Sequence, residues 1–65
     1  MKAQEIIKNW TREEGRKLGW LAKQVPVTQG TMSAWLAGIN IPSRAARARL
    51  TDIIGIDLSN EEDWK

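Results

Sequence analysis

The chain contains no cysteine and no histidine. Without cysteine no disulfide can form. Without either residue a structural zinc site lacks its soft ligands, and the usual general base and the thiol nucleophile of enzymes are both missing. No apolar run approaches the roughly 18 residues of a membrane span. The opening residues, Met1 to Glu5, lack the apolar stretch of a secretory signal. No glycine-rich phosphate loop is present, and the acidic run Glu61-Glu62-Asp63 reads as a solvated face. The expectation is a cytoplasmic protein that is not an enzyme, with no metal, no cofactor, no membrane partner and no evident small-molecule ligand.

The chain has 65 residues, enough for one domain spanning 1–65. A chain this short buries only roughly 60% of its unfolded surface, so its core is thin. With no covalent or metal staple, the fold must rest on helix packing, helped by self-association.

Charge is unevenly spread. Residues 1–49 carry nine basic side chains (Lys2, Lys8, Arg12, Arg16, Lys17, Lys23, Arg44, Arg47, Arg49) against Glu5, Glu13 and Glu14, a balance of +6. Residues 50–65 carry Asp52, Asp57, Glu61, Glu62 and Asp63 against Lys65, a balance of −4. Such polarity suits one face for a polyanion and another turned away from it. The other reading is a gradient along the chain that folding scrambles.

Spacing and punctuation predict five short helical segments and no strand. Ala3, Ile6, Ile7 and Trp10 form an apolar stripe over about Lys2 to Glu14, stopped by Gly15. A second segment runs from about Leu18 to Gln24, with Leu21, Ala22 and Val25 inward. Pro26 ends it and should leave Val25 extended or turn-like. Thr28 is placed to cap a third segment, which carries Met32, Trp35 and Leu36 inward and stops at Gly38. After the loop Ile39-Asn40-Ile41-Pro42, Ser43 caps a fourth, with Ala46, Leu50, Ile53 and Ile54 inward and Gly55 as its stop. The last, Ser59 to Trp64, has a capping-box spacing at Ser59 and Glu62.

Residues 18–38 describe two short helices joined by a tight turn. Ala22 is small enough for the helices to cross closely, Val27 and Met32 seal the inner angle, and Trp35 anchors the second helix. Gln29, Gly30, Thr31, Ser33 and Ala34 are left as a polar or small outer face. Such a face fits a major groove, where Gln, Thr and Ser hydrogen-bond base edges and phosphates.

Leu21-Ala22, a turn, and then Val27-Thr28-Gln29-Gly30-Thr31-Met32-Ser33-Ala34-Trp35-Leu36-Ala37-Gly38 resemble the helix-turn-helix of the lambda-repressor and Cro superfamily. The resemblance continues through Ile39 to Ser43 and into Leu50, Ile53, Ile54, Gly55 and Ile56. It covers about four-fifths of the chain, from roughly residue 12 onward. It implies a compact all-α bundle of four to five short helices with the helix-turn-helix at about 18–38. It also implies that the helix opening at Thr28 recognises DNA, with Gln29 in its first turn and Thr31, Ser33 and Asn40 near base or phosphate contacts. Ser43 stands at a helix N-terminus suited to a phosphate.

Three positions depart from the family pattern. Pro26 stands where the family usually has a left-handed glycine, so the turn must be made by another route. Leu18 replaces a glutamine that often reaches a phosphate. Gly30 stands outward on the recognition helix, where it reads nothing but admits close backbone approach.

The candidate DNA-binding residues are therefore Thr28, Gln29, Gly30, Thr31, Ser33, Asn40, Ser43, Arg44, Lys17 and Lys23. Thr28 reads first as a cap, and Arg44 is favoured over Arg47 and Arg49 as the nearest to its helix start. Trp10 and Trp35 sit on core stripes, which argues against a single-strand stacking surface. Ile56, Leu58 and Trp64 are the expected dimer patch, with Trp64 folding back on the first helix as the other reading. The expected function is sequence-specific binding of double-stranded DNA by a homodimer on a two-fold operator, as a transcriptional repressor of phage or prophage type. That reading places the protein at the nucleoid of a bacterial or phage-infected host cell. The alternatives are a protein-interaction module on the same fold, such as an antitoxin or adaptor, or a DNA-targeting subdomain of a recombinase.

Overall fold

Helix α1 runs from Lys2 to Glu14. Its inward stripe is Ala3 and Ile7, fully buried, with Ile6 and Trp10 packed beside them. Gly15 follows at φ 65°, a left-handed conformation that ends the helix. This computed structural model describes residues 2–65.

Helix α2 spans Leu18–Gln24 and buries Leu21 and Ala22. Helix α3 spans Gln29–Leu36 and buries Met32 and Trp35. The two pack against each other. Between them Val25 stays helical, at φ −64° and ψ −44°, with its N–H bonded to the Leu21 carbonyl. Val25 is a turn residue after a helix that ends at Gln24, as one of the two expected states has it, but Pro26 does not push its dihedrals out of the helical region; the chain changes direction after it, at a cis Val25–Pro26 peptide. The turn uses no left-handed residue, and the Val27 N–H closes it on the Ala22 carbonyl at 2.7 Å.

Helix α4 spans Arg44–Ile54 and buries Ala46, Leu50 and Ile54. Ser43 caps it through a 3.2 Å bond from the Ala46 N–H, as expected of that residue type. Gly55, at φ 82°, supplies the left-handed stop and donates to the Thr51 carbonyl. The Thr51 hydroxyl donates to the Arg47 carbonyl and accepts from the Leu58 N–H, so one side chain ties α4 to the segment after it.

The last segment differs from expectation. It is a single 3₁₀ turn, Glu61–Trp64, capped by the Asn60 side chain rather than by Ser59. The capping box does not form because the Ser59 N–H and hydroxyl both donate to the Asp57 carboxylate, the hydroxyl at 2.6 Å. Those bonds hold the Asp57 carboxyl below its ordinary pKa.

This turn packs against α1. Trp64 is 1% exposed and Leu58 is fully buried, and the Trp64 indole N–H donates to the Leu58 carbonyl at 2.9 Å. Both therefore belong to the protomer's own core. This corrects their assignment to an exposed dimer patch: an indole with its N–H satisfied internally has no polar tip left for a partner. Of the three residues assigned to that patch, only Ile56 is exposed. The result is one all-helical body of 27 × 21 × 19 Å, with four α-helices and no strand among the described residues.

Candidate nucleic-acid interface

Thr28 fixes the start of α3. Its hydroxyl accepts from the Thr31 N–H at 3.1 Å and lies 2.9 Å from the Thr31 hydroxyl. Capping thus engages the side chains of both Thr28 and Thr31. Gln29 follows in the first turn, exposed and without a hydrogen-bond partner among the described residues. Gly30, Thr31 and Ser33 are exposed on the same helix.

Gln29 does not stand free of the fold. Its carboxamide lies over Gly19 in the first turn of α2, where a Cβ would come within 3.3 Å of Oε1. A Cβ at Gly19 would ask the end of that side chain to give by a few tenths of an ångström. Gly30 differs: a Cβ there would meet only the Thr28 hydroxyl, at 3.9 Å, so no neighbour within the protein demands glycine.

A cleft of about 740 Å³ lies between the first turns of α2 and α3. It brings together Lys17, Lys23, Thr28 and Gln29, which the sequence singles out, and adds Arg16 and Trp20, which it does not. The Arg16 guanidinium lies 4.4 Å from the Trp20 ring centroid, and Trp20 stacks on Trp10 at 6.2 Å. The tryptophan pair thus holds the arginine at the cleft rim, a cation–π contact worth about 0.5–1 kcal/mol at an exposed site. Arg16 lies before the extended N-cap Lys17, outside α2, so no helical spacing in the sequence finds this pair. Every charged residue lining the cleft is basic.

From Gln24 to Ser43 no side chain is ionisable, and Lys23 and Arg44 close the two ends of that span. Helix α3 therefore presents no carboxylate to a polyanion. Among the described residues the one ion pair is Lys65 with Glu62, at 3.3 Å. None of the nine basic residues before position 50 is neutralised by a carboxylate.

The three α4 arginines divide by role. Arg47 donates to the Ser59 and Pro42 carbonyls, at 2.9 and 2.7 Å. Arg49 donates to the Gln24 carbonyl at 3.1 Å, joining α4 to the end of α2. Arg44 is exposed and makes no hydrogen bond or ion pair within the described residues. Asn40, also exposed, lies in the loop before α4, and Ser43 uses its hydroxyl as a cap. Asn40, Ser43 and Arg44 do not line the cleft. Comparison with family models, curated proteins and solved structures found no match to this chain.

Proposed function

We propose that the chain is a sequence-specific binder of double-stranded DNA, with α2 and α3 as a helix-turn-helix and α3 as the recognition helix. In this reading the protein is a transcriptional repressor acting as a homodimer on a two-fold operator, as its resemblance to the lambda-repressor and Cro superfamily implies. The observation that carries the reading is the outer face of α3: neutral hydrogen-bonding side chains, no carboxylate, and unpaired cations on the cleft beside it. Neutral polar groups read base edges, while cations hold phosphates and fix register.

Gln29 is the proposed reader, since a glutamine carboxamide can pair with adenine through two hydrogen bonds. Lys17, Lys23, Arg16 and Arg44 are proposed phosphate contacts, and Thr31, Ser33 and Asn40 lesser ones. Thr28 and Ser43 act mainly by fixing helix starts. One protomer offers few base contacts, so two half-sites roughly 34 Å apart on one DNA face give a dimer its affinity.

The test is selection of bound sequences from a random double-stranded DNA pool, followed by titration of the selected DNA at several salt concentrations. An enriched motif, with affinity falling steeply as salt rises, is expected, because each neutralised phosphate releases counterion. Absence of enrichment together with a flat salt response overturns the reading.

A further inference from the structure

We propose that Trp20 is a positioning residue for DNA binding: it holds the Arg16 guanidinium in place before DNA arrives and makes Arg16 the principal phosphate contact of the cleft. The inference rests on the DNA reading above and gives a role to a residue that the reading leaves unused.

Arg16 is fixed at both ends. Gly15, at φ 65°, turns the chain out of α1, and the Arg16 N–H closes that turn on the Thr11 carbonyl at 3.0 Å. At the far end of the side chain, the guanidinium carbon lies 4.4 Å from the Trp20 ring centroid. Trp20 is itself half-buried and stacked on Trp10, with 28° between the ring planes. The ring beneath the arginine is thus backed by α1.

Contact with a ring restrains a guanidinium without spending its N–H donors on a carbonyl or a carboxylate. Arg16 makes no ion pair among the described residues. Arg47 and Arg49 differ, since each gives donors to main-chain carbonyls. Arg16 is also the one arginine that lines the cleft. It therefore offers a planar fork, already oriented, that can take two oxygens of one phosphate.

Lys17 and Lys23 line the same cleft and are exposed. Each carries a point charge on a flexible stem, which loses rotamer freedom when it takes a phosphate. Arg16 gives up much of that freedom in the free protein. Pre-organisation of this kind strengthens binding by lowering its cost, with no new contact.

A double-mutant cycle on selected DNA tests this, with Trp20→Leu, Arg16→Ala and the two combined. Leucine keeps an apolar side chain against Trp10. Arg16→Ala is expected to weaken binding and to flatten the log–log salt dependence by about one unit. Trp20→Leu is expected to weaken binding roughly two- to fivefold when Arg16 is present, and not at all when Arg16 is alanine. A purely structural Trp20 weakens binding by the same factor in both backgrounds. That result, or no effect of Trp20→Leu beside Arg16, or an unchanged salt slope in Arg16→Ala, overturns the proposal. If Trp20→Leu melts below the assay temperature, Trp20→Phe takes its place. Phenylalanine is the weaker cation–π partner, so the expected loss is smaller but still confined to chains with Arg16, and the same outcomes overturn it.

Nuclear magnetic resonance of the free protein separates this inference from the DNA reading. The Trp20 ring current should shift the Arg16 side-chain protons upfield, and Trp20→Leu should remove the shift. Its absence in the wild type means that the arginine is not held, which overturns the positioning role and leaves the DNA reading standing. A shifted Arg16 in a chain that selects no DNA overturns the DNA reading, and the positioning role falls with it.

Discussion

The carboxamide of Gln4 donates to the main-chain carbonyl of Trp64 at 2.9 Å, across 60 residues of sequence. The same nitrogen donates to the Trp35 carbonyl at 3.2 Å. One side chain of α1 thereby joins the end of α3 to the terminal turn. The two acceptors fix the amide's orientation and leave Gln4 Oε1 buried without a partner.

Gln4→Ala strands the Trp64 carbonyl, takes one of two donors from the Trp35 carbonyl and opens a cavity, with an expected loss of about 2–3 kcal/mol. At about 4–8 °C per kcal/mol for a domain this small, thermal melts resolve it easily. Gln4→Met keeps the volume and removes the orphaned oxygen along with the donors, so it costs less than Gln4→Ala. A methionine variant less stable than the alanine one contradicts this bonding.

Trp64 is a folding residue on the same evidence. Trp64→Ala is expected to remove about 3–5 kcal/mol, against about 3–10 kcal/mol for the whole stability of a chain of this length. Far-ultraviolet circular dichroism should show it largely unfolded at room temperature. Trp64→Phe loses mainly the bond to the Leu58 carbonyl and should fold with a lowered melting temperature. A well-folded Trp64→Ala chain places the residue outside the core.

These two residues mark the limit of what the sequence discloses. Local signals read correctly: Thr28 and Ser43 cap helices, Gly15, Gly38 and Gly55 stop them, and the stripe positions of α1, α3 and α4 are buried or packed against the core. Each depends on residues within a few positions. Gln4 sits inside an apolar stripe, and a polar residue there reads as solvent-facing until its distant acceptors are known. For Trp64 the sequence offers a dimer patch first and folding back on α1 second; the second is what the fold has, since α1 covers it from the other end of the chain. The candidate site divides likewise. Spacing alone marks the outer face of α3, but the support of Gln29 by Gly19 and the structural work of Arg47 and Arg49 need the fold.

Gly30 is free to be alanine as far as the protein is concerned. Removing the helix cost of glycine should stabilise the fold by about 1 kcal/mol, raising the melting temperature by about 4–8 °C. If the DNA backbone passes close to Gly30, the added methyl weakens binding to selected DNA in a chain that is more stable. A stabilised Gly30→Ala variant with wild-type affinity shows that nothing approaches there.

Gly19 faces the Gln29 side chain, so a substitution there is expected to act through Gln29. A methyl at position 19 presses the Gln29 carboxamide away by a few tenths of an ångström. Gly19→Ala should therefore alter base preference at the one position per half-site that Gln29→Ala also relaxes, the latter by about 1–3 kcal/mol if its contact is bidentate. The double variant should match Gln29→Ala alone, as residues sharing one interaction are not additive. Changed preference at a different base separates the two residues.

Arg44 and Arg47, three residues apart on α4, should fail in opposite assays. Arg44 has no partner within the described fold, so Arg44→Ala keeps the stability within about 0.5 kcal/mol of wild type. If it holds a phosphate, its loss flattens the log–log salt dependence of DNA binding by about one unit. Arg47 is already committed to the Ser59 and Pro42 carbonyls. Arg47→Ala leaves both acceptors to water and loosens the terminal segment from α4, with an expected cost of about 1–3 kcal/mol. Its salt slope should stay that of wild type, because a guanidinium held by two carbonyls is not the one neutralising phosphate. Urea melts and salt titrations on the two variants separate the roles. An Arg47→Ala protein that melts like wild type but loses a unit of salt slope reverses the assignment and puts Arg47, not Arg44, against the DNA backbone.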